Sequence, residues 1–375
     1  VLKRFYFEQT CYQCYNKLML SEIRRKIKQR ERLSREDALY LFNSDKIYQL
    51  GELADEVSRR INSNMAYFIV NRHINPTNIC VNRCRFCAFS RSKGDPDAYE
   101  MSIDEILENI RQSKQKLGYL SEVHIVSGLH PEWNFEYYIE MIKKIKREFP
   151  EIGIKAFTAV EIDYFAKKAG ISIEEALKKL KNAGLDIMPG GGAEIFNPEV
   201  RKIICPEKIS AERWLEIIKT AHSLGIRTNA TMLYGHVETY EDRVDHLLKL
   251  RELQDETGGF LAFIPLSYQP ENTNIKVQYP SGIDDLKTIA ISRLVLDNIP
   301  HIKAYWIMLG EKLAQLALLF GADCLEGTVI EEKIAHSAGA RSKKGSTIDE
   351  IVHLINETGK LPTQRDSFYN VLRKW

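Results

Sequence analysis

Three cysteines stand close together in the first third of the chain: Cys80, Cys84 and Cys87, at the spacing C-x3-C-x2-C. Thiolates on one tight loop can hold three irons of a cubane iron–sulfur cluster. A self-contained electron carrier supplies four cysteine ligands, but no fourth cysteine continues this pattern. One iron is then left with an open coordination position, where a small molecule can bind. The spacing therefore predicts a cluster that takes part in chemistry on a bound ligand.

The alternative for these cysteines is a structural zinc site. Zinc sites favour paired C-x2-C units with a fourth Cys or His nearby, and no second pair follows Cys87. Cys11 and Cys14 do form a C-x2-C pair, but in an aromatic, aperiodic segment, and we interpret it as incidental. Cys205 and Cys324 are single cysteines to which the sequence assigns no role. The cluster is the favoured prediction, with a non-catalytic zinc module as the alternative.

Length and composition bound the classes of function. At 375 residues, with 44% hydrophobic and 28% charged residues, the chain has the composition of a soluble globular protein. No run of about 18 apolar residues occurs, so we expect no transmembrane helix. A net charge of +2 is too small to indicate a nucleic acid as the main partner. Seven cysteines do not make a disulfide framework here, and with an oxygen-sensitive cluster they point to a reducing cytoplasm.

Regular hydrophobic patterns begin near residue 21. Residues 1–20 lack the apolar core of a signal peptide, and we interpret them as a disordered or dispensable extension. Residues 21–62 have helical periodicity, with Ser34 and Asp37 at a helix start, and form a predicted helical preface. Residues 63–375 alternate between apolar, β-branched runs and amphipathic stretches. This alternation predicts an α/β fold, a (β/α)8 TIM-type barrel with a helical tail at its C-terminus.

Eight runs are predicted as the parallel strands of the barrel: 67–75, 122–127, 154–160, 186–188, 227–233, 260–267, 302–308 and 323–330. The stretches between them are predicted as helices, near 102–117, 134–149, 172–183, 210–224, 239–257, 283–297 and 310–320. An open doubly wound sheet is the alternative, but no G-x-G-x-x-G follows the first strand. In the helical tail, Pro362 is predicted to precede the last helix.

Loops at the C-terminal ends of barrel strands carry the chemistry of this architecture. The cysteine loop follows the first predicted strand, and Ser127, Gly128 and His130 follow the second. Gly190–Gly192 and Glu194 follow the fourth. Consecutive glycines let a backbone approach a ligand closely, although each of these residues could also simply form a turn.

The cysteine loop resembles that of the radical S-adenosylmethionine (SAM) enzymes, in which an aromatic residue precedes the last cysteine, as Phe86 does here. The resemblance implies a 4Fe–4S cluster whose open iron is chelated by the amino and carboxylate groups of SAM. It also implies that an electron passed through the cluster splits SAM into methionine and a 5′-deoxyadenosyl radical. Cofactor contacts are then expected from Phe86, Ser127, Gly128, His130, Gly190, Gly191, Gly192 and Glu194.

Further motifs narrow the resemblance to the group that holds the menaquinone futalosine-pathway enzymes and the deazaflavin synthase subunits. They are Asn75-x-Thr77-Asn78-x-Cys80, Cys87-Ala-Phe89, Gly128-Leu-His-Pro131 and Pro189-Gly-Gly-Gly-Ala-Glu194. The stretch from Glu326 to Ala340 is most similar to the aminofutalosine synthase family. Two departures stand out: Ser127 replaces a glycine of that group, and Cys324 and Glu326 replace expected aspartates.

Membership of the aminofutalosine synthase family implies that SAM is a co-substrate in menaquinone biosynthesis. The adenosyl radical is expected to add to the enolpyruvyl double bond of 3-[(1-carboxyvinyl)oxy]benzoate. Rearrangement and loss of carboxylate then yield 6-amino-6-deoxyfutalosine. A cyclic dehypoxanthine futalosine synthase or a deazaflavin synthase subunit remains the alternative within the group.

The two carboxylates of such a substrate require cationic or hydrogen-bonding partners inside the barrel. The residues that we expect to bind them are Arg72, His73, His336 and Arg341, with Arg227, Lys303 and Lys333 as further possibilities. The pattern does not tell which side of its strand each residue faces.

Basic residues surround the cysteine loop: Arg83, Arg85, Arg91 and Lys93. The cluster has to receive electrons, and a positive rim would attract an acidic carrier such as flavodoxin or ferredoxin. A basic surface patch without function is the alternative.

Overall fold

Helices come first in the part of the chain that the computed structural model describes, residues 18–375. Helix α1 covers residues 18–29, and α2 (Arg35–Asn43) and α3 (Ile47–Asn62) follow. Ser34 caps α2 in a reciprocal capping box with Asp37, as the sequence predicted. These helices match the predicted helical preface. The Cys11–Cys14 pair lies outside the described residues.

A ring of parallel strands follows: β1 (Met65–Ile69), β2 (Asn71–Ile74), β3 (Glu122–Ile125), β4 (Gly153–Ala156), β5 (Ile187–Met188), β6 (Arg227–Tyr234), β7 (Phe260–Ser267), β8 (His301–Ile302) and β9 (Cys324–Gly327). Strands β2 to β8 form one parallel sheet in chain order. The backbone N–H of Ala304 donates to Cys324, and that of Thr328 donates to Ile69, at 2.8 and 3.1 Å. The first bond joins β9 to the segment after β8, and the second joins β9 to β1, which continues into β2 at the other edge of the sheet. The ring that results confirms the predicted TIM-type barrel.

Helices alternate with the strands: α4 (Ile103–Leu117), α5 (Phe135–Glu148), α6 (Ala159–Ala169), α7 (Ile173–Ala183), α8 (Pro198–Ile204), α9 (Ala211–Ser223), α10 (Tyr240–Thr257), α11 (Gly282–Val295), α12 (Trp306–Leu309), α13 (Glu311–Ala317), α14 (Ile334–Ser337) and α15 (Ile348–Asn356). Helix α5 shows the pattern, because Tyr138, Met141, Ile142 and Ile145 are buried on one face. In the described part of the chain, no helix is long and apolar enough to cross a membrane.

Two predicted strands end at least four residues earlier than the sequence suggested. The strand predicted over 154–160 ends at Ala156, because Thr158 and Glu161 form a capping box that starts α6. The strand predicted over 302–308 ends at Ile302 and gives way to α12. Short apolar runs look alike in buried strands and buried helices, so their periodicity does not separate the two.

The prediction of a last helix after Pro362 is wrong. That segment forms β10 (Leu361–Arg365) and β11 (Val371–Lys374). Strand β10 runs parallel to β1, with Pro362 opposite Ala66. A proline is tolerated there because it is near the start of the strand. Arg365 of β10 is 1% exposed and lies inside the N-terminal end of the barrel, which this segment covers.

Removing β10 is expected to destabilise the barrel far more than removing β11. A chain that ends at Lys360 leaves β1 without its β10 partner and should lose much more than the roughly 1 kcal/mol typical of one substitution. A chain that ends at Asn370 loses β11, whose four residues are exposed, and Trp375, whose half-buried ring lies 5.3 Å from that of Phe68, and should lose roughly 2 kcal/mol. Circular dichroism in denaturant measures both. Equal losses would contradict this role of β10.

Candidate active site at the C-terminal end of the barrel

The cysteine loop, which connects β2 to α4, is held by its own hydrogen bonds. The N–H of Cys80 donates to Arg91 at 3.1 Å, and the N–H of Arg91 donates to Asn78 at 2.8 Å. The side chain of Asn78 accepts from the N–H of Tyr99 and donates to the carbonyl of Asp97. The loop is therefore a folded lobe whose cysteines are fixed in place.

Neighbouring loops also hold the cysteine loop in position. The N–H of Val81 donates to Leu129 at 3.0 Å, and the N–H of Arg85 donates to Ile204 at 2.8 Å. A side chain on Gly128 would place its Cβ 2.2 Å from the carbonyl oxygen of Ile79. Glycine at position 128 thus permits the loop after β3 to pass directly beside the cysteine loop.

A cavity of about 310 Å³ opens at the C-terminal ends of the strands. Most of the predicted site residues line it: His73, Cys80, Cys84, Phe86, Cys87, Ser127, Gly128, Gly190, Gly191, Gly192 and Glu194. The upper wall is largely apolar, with Leu233, Ile264 and Leu266. A set of polar residues lies deeper, and we call it the cavity floor: His73, His124, Lys155 and Glu326.

The three cysteines suit an iron–sulfur cluster with one open iron. Burial raises the pKa of the Cys80 thiol, and raises that of Cys84 to about 12. Such thiolates need a strong adjacent positive charge, which metal ions supply. Cys205 and Cys324 are buried and do not line the cavity. Within the described residues, no three metal-binding side chains are close enough to bind one metal ion together. A cubane cluster does not require such a site, because each cysteine binds a different iron.

Arg201 and Lys208 position the glycine loop. The Arg201 guanidinium donates to the carbonyls of Ala193 and Ile195, at 2.6 and 3.1 Å. The Lys208 ammonium lies 2.5 Å from Glu194 and 4.8 Å from the ring centre of Phe86. Lys208 lines the cavity, and the sequence gave no reason to choose it among the many lysines.

Close packing explains part of the glycine run. A Cβ on Gly190 would lie 2.7 Å from the backbone of Ala230, and one on Gly192 would lie 2.4 Å from Val160. Gly192 also has a φ of +89°, which favours glycine. The glycines therefore let the loop lie against β6 and still border the cavity.

The structure places His130 away from the cavity wall. Its ring is fully buried, and Nδ1 accepts from the N–H groups of Glu132 and Trp133, both at 3.1 Å. Nε2 lies 2.6 Å from the Glu100 carboxylate. His130 therefore organises the turn after β3, which is the simpler of the two interpretations that the sequence allowed.

Of the four residues expected to bind substrate carboxylates, only His73 reaches the cavity. Arg72 points outward, where it donates to Ser113 at 2.8 Å and to Glu331 at 2.7 Å. Arg341 is exposed and pairs with Glu271. His336 contacts Glu332 and the carbonyl of Ser342. The expectation for Arg72, Arg341 and His336 is therefore not supported by their positions.

The three further candidates for binding substrate carboxylates differ in where they lie. Lys303 lies inside the barrel and pairs with Glu326. Arg227 donates to the carbonyl of Gly258, and Lys333 lies over the ring of Tyr99, so neither lines the cavity.

Sequence reasoning missed His124, Lys155 and Glu161, all of which line the cavity. Glu161 caps α6 and accepts from the N–H of Ser127 at 3.2 Å. Burial raises the pKa of Glu161 to about 7. The pairing of Glu161 with Thr158 was a signal that the sequence offered, since the two have the spacing of a capping box.

Two segments of the chain match family descriptions: residues 74–250 match the radical SAM superfamily, and residues 257–375 match the CofH/MqnC C-terminal region. Aminodeoxyfutalosine synthases from Thermus thermophilus and Streptomyces coelicolor are 45% and 43% identical to this chain. The alignments cover 95% and 94% of this chain and 96% and 94% of those proteins. A 5-amino-6-(D-ribitylamino)uracil–L-tyrosine 4-hydroxyphenyl transferase from Methanopyrus kandleri is 44% identical over 87% of this chain and 89% of its own length.

Solved structures share the fold at low identity. Methylornithine synthase (PylB) has a TM-score of 0.73 and 18% identity, over 91% of this chain and 97% of that one. The hydrogenase maturase HydG from Carboxydothermus hydrogenoformans has a TM-score of 0.72 and 17% identity, over 98% and 84%. At these identities the likeness concerns the barrel alone.

Cys84→Ala is expected to abolish SAM cleavage and leave the barrel folded, because it removes one sulfur atom from a loop that is held by backbone hydrogen bonds. The matched control is Cys205→Ala, which also removes a buried thiol but one that does not line the cavity. Visible absorption after anaerobic reconstitution and release of methionine measure the two effects. A colourless, zinc-loaded wild-type protein, or turnover by the Cys84 variant, would contradict the cluster assignment.

Glu161→Gln is expected to change how stability depends on pH. The unfolded carboxyl ionises near pH 4.5 and the folded one near 7, so the wild type loses stability as pH rises between those values. The variant should therefore show a smaller fall in unfolding free energy from pH 5 to pH 8, by roughly 2 kcal/mol. Glu105→Gln, which alters the same position of an exposed capping box, should not reduce that fall. Unchanged pH dependence in Glu161→Gln would show that Glu161 titrates normally.

Proposed function

This chain belongs to the radical SAM superfamily and uses a 4Fe–4S cluster and SAM, and we propose that it is an aminofutalosine synthase. The observation that carries this proposal is the 45% identity to the Thermus thermophilus aminodeoxyfutalosine synthase over 95% of this chain. The proposed reaction joins the adenosyl group of SAM to 3-[(1-carboxyvinyl)oxy]benzoate, with rearrangement and decarboxylation to 6-amino-6-deoxyfutalosine. The barrel then serves to position reactants more than to move protons.

The loops at the mouth of the barrel would hold the cofactors. Cys80, Cys84 and Cys87 would each bind one iron and leave the fourth to SAM. When bound, the cluster and SAM supply a 5′-deoxyadenosyl radical. The backbones at Gly128 and Gly190 border the same space and suit close approach to SAM.

The cavity walls support addition over side reactions. Leu233, Ile264 and Leu266 keep water from the upper cavity, so the substrate double bond meets few competing groups. Well-oriented partners reach effective molarities of about 10⁵–10⁸ M. Enclosure and alignment together would let addition to the double bond outrun hydrogen abstraction.

The second candidate is a deazaflavin-pathway 4-hydroxyphenyl transferase. The Methanopyrus kandleri transferase is 44% identical to this chain, almost as similar as the Thermus protein, over a shorter alignment. That activity would take tyrosine and a ribitylaminouracil as substrates. A cyclic dehypoxanthine futalosine synthase is a further alternative, because the sequence motifs resemble the group of enzymes that includes it.

An acidic flavodoxin or ferredoxin is the proposed electron donor. Only two of the four basic residues around the cysteine loop are free of a paired carboxylate in the described part of the chain. Arg91 and Lys93 pair with Asp97 and Glu132. In residues 18–375, Arg83 and Arg85 form no ion pair, and they would carry the attraction for a negatively charged carrier.

Parallel incubations distinguish these activities. The reconstituted enzyme is given SAM and dithionite with the enolpyruvyl benzoate, with tyrosine plus the ribitylaminouracil, or with a dehypoxanthine futalosine. We expect 6-amino-6-deoxyfutalosine, identified by mass spectrometry, from the first mixture alone. Consumption of either other substrate set, without reaction of the enolpyruvyl benzoate, would overturn the proposal.

A further inference from the structure

The cavity floor contains three polar residues at the same level of the barrel. His73, His124 and Lys155 are register partners on β2, β3 and β4, so their side chains form one row across three adjacent strands. All three line the cavity, directly below its apolar wall. A row of nitrogen-bearing side chains at the closed end of an apolar cavity is suited to bind the polar end of an elongated ligand.

Buried charged residues surround this row. Lys155 lies 2.5 Å from Glu122 and 3.6 Å from Glu326, and Glu326 also pairs with Lys303. Arg365 enters from β10 and stacks on Tyr369 at 3.9 Å. Over the described residues Arg365 forms no ion pair, and its guanidinium donates hydrogen bonds to the carbonyl of Asp366 and the sulfur of Cys324.

The group around Lys155 therefore holds three cations, Lys155, Lys303 and Arg365, beside the carboxylates Glu122 and Glu326. All five residues are at most 3% exposed. Glu332, which is 6% exposed, adds a third carboxylate that also lines the cavity and acts on His73. A carboxylate bound at the floor would meet Lys155, whose contact with Glu326 is a loose 3.6 Å.

The two histidines add neutral hydrogen-bonding groups beside Lys155. Nδ1 of His124 and Nε2 of His73 are 3.3 Å apart, so one ring donates to the other. Burial and the adjacent Lys155 hold the pKa of His124 well below its ordinary value, which keeps the pair neutral. Nε2 of His124 is buried and has no hydrogen-bond partner in the described part of the protein. In one tautomer of the pair this nitrogen donates, and it can then bind an anion.

We propose that Lys155 and the His73–His124 pair bind the carboxylate on the aromatic ring of the substrate. This inference rests on the proposed function and assigns one of the two substrate carboxylates to a site. No residue singled out in the sequence except His73 belongs to it.

The depth of the floor below the mouth of the barrel favours the ring carboxylate over the enolpyruvyl carboxylate as its ligand. The cysteine loop lies at the C-terminal mouth, so the double bond that receives the adenosyl group must lie towards that mouth. The ring carboxylate is at the opposite end of the substrate and would reach the floor. The row of His73, His124 and Lys155 is then in place to receive it.

The chemistry favours the same orientation. The bond to the enolpyruvyl carboxylate has to break, and a strong ion pair there would stabilise the reactant state and slow the departure of this group. The ring carboxylate stays charged from substrate to product, so binding it tightly does not oppose the reaction. An apolar wall beside the enolpyruvyl carboxylate lets that group leave, and a cationic floor beside the ring carboxylate holds the substrate in place.

Two monocarboxylate probes test the site without turnover. The holoenzyme with SAM and no reductant is titrated by calorimetry with 3-methoxybenzoate, which keeps the ring carboxylate, and with phenoxyacetate, which lacks it. We expect 3-methoxybenzoate to bind at least 10-fold more tightly. Lys155→Met should weaken its binding by about 10- to 100-fold, the effect of losing a hydrogen bond to a charged group, and should leave phenoxyacetate unchanged.

Two further variants test whether Lys155→Met weakens binding by removing a direct contact, by lowering protein stability or by changing the net charge of the floor. Arg72→Gln removes a buried cation from the neighbouring strand that faces away from the cavity, and should not alter either affinity. Lys155→Met combined with Glu122→Gln removes one positive and one negative charge and leaves the net charge of the floor unchanged, so it should also bind 3-methoxybenzoate weakly. Restored binding in the double variant, or an equal loss for both probes in Lys155→Met, would overturn the assignment.

Turnover distinguishes failure of this inference from failure of the proposed function. If wild type forms 6-amino-6-deoxyfutalosine and Lys155→Met keeps its KM, the site is wrong and the function stands. If wild type forms no such product yet binds 3-methoxybenzoate through Lys155, the function is wrong and the carboxylate site stands. We expect Lys155→Met to raise KM at least 10-fold and to release more 5′-deoxyadenosine per product. If the double bond is misplaced, the adenosyl radical abstracts a hydrogen atom instead of adding to it.

Discussion

The hydrogen bonds that close the parallel ring are the constraint on which the site depends. Ala304 donates to Cys324 and Thr328 donates to Ile69, which places β9 between β8 and the first strand. Because every strand in the ring runs in the same direction, the loops after β2, β3 and β5 meet at one mouth. Three cysteines, a serine–glycine turn and a glycine run that lie far apart in the chain thereby border one cavity.

The two matched segments of the chain contribute different parts of that cavity. The radical SAM segment, residues 74–250, supplies the cysteines, the glycine loops and Lys155. The C-terminal segment, residues 257–375, supplies Ile264, Leu266 and Glu326, and its strand β10 covers the N-terminal end of the barrel. Both segments therefore contribute to the cavity floor, the first through His124 and Lys155 and the second through Glu326.

Local patterns were predictable from sequence, and orientation was not. The C-x3-C-x2-C spacing and the capping box at Ser34 could be found because their signals lie within a few residues. Arg72 and His73 are neighbours on a strand that is buried on both faces, so no alternation shows which side chain points inward. Lys155 becomes important only through its register with His124. Strand β10 depends on pairing with β1, almost 300 residues earlier in the chain, which no local pattern predicts.

The proposed function requires that the adenosyl group itself is joined to the substrate. The most direct measurement uses SAM with two deuterium atoms on its 5′ carbon, together with the enolpyruvyl benzoate and unlabelled reductant. We expect a single adenosyl–aryl product that retains both deuterium atoms, with little free 5′-deoxyadenosine. Release of 5′-deoxyadenosine that carries a hydrogen taken from the substrate, as the main nucleoside product, would contradict it.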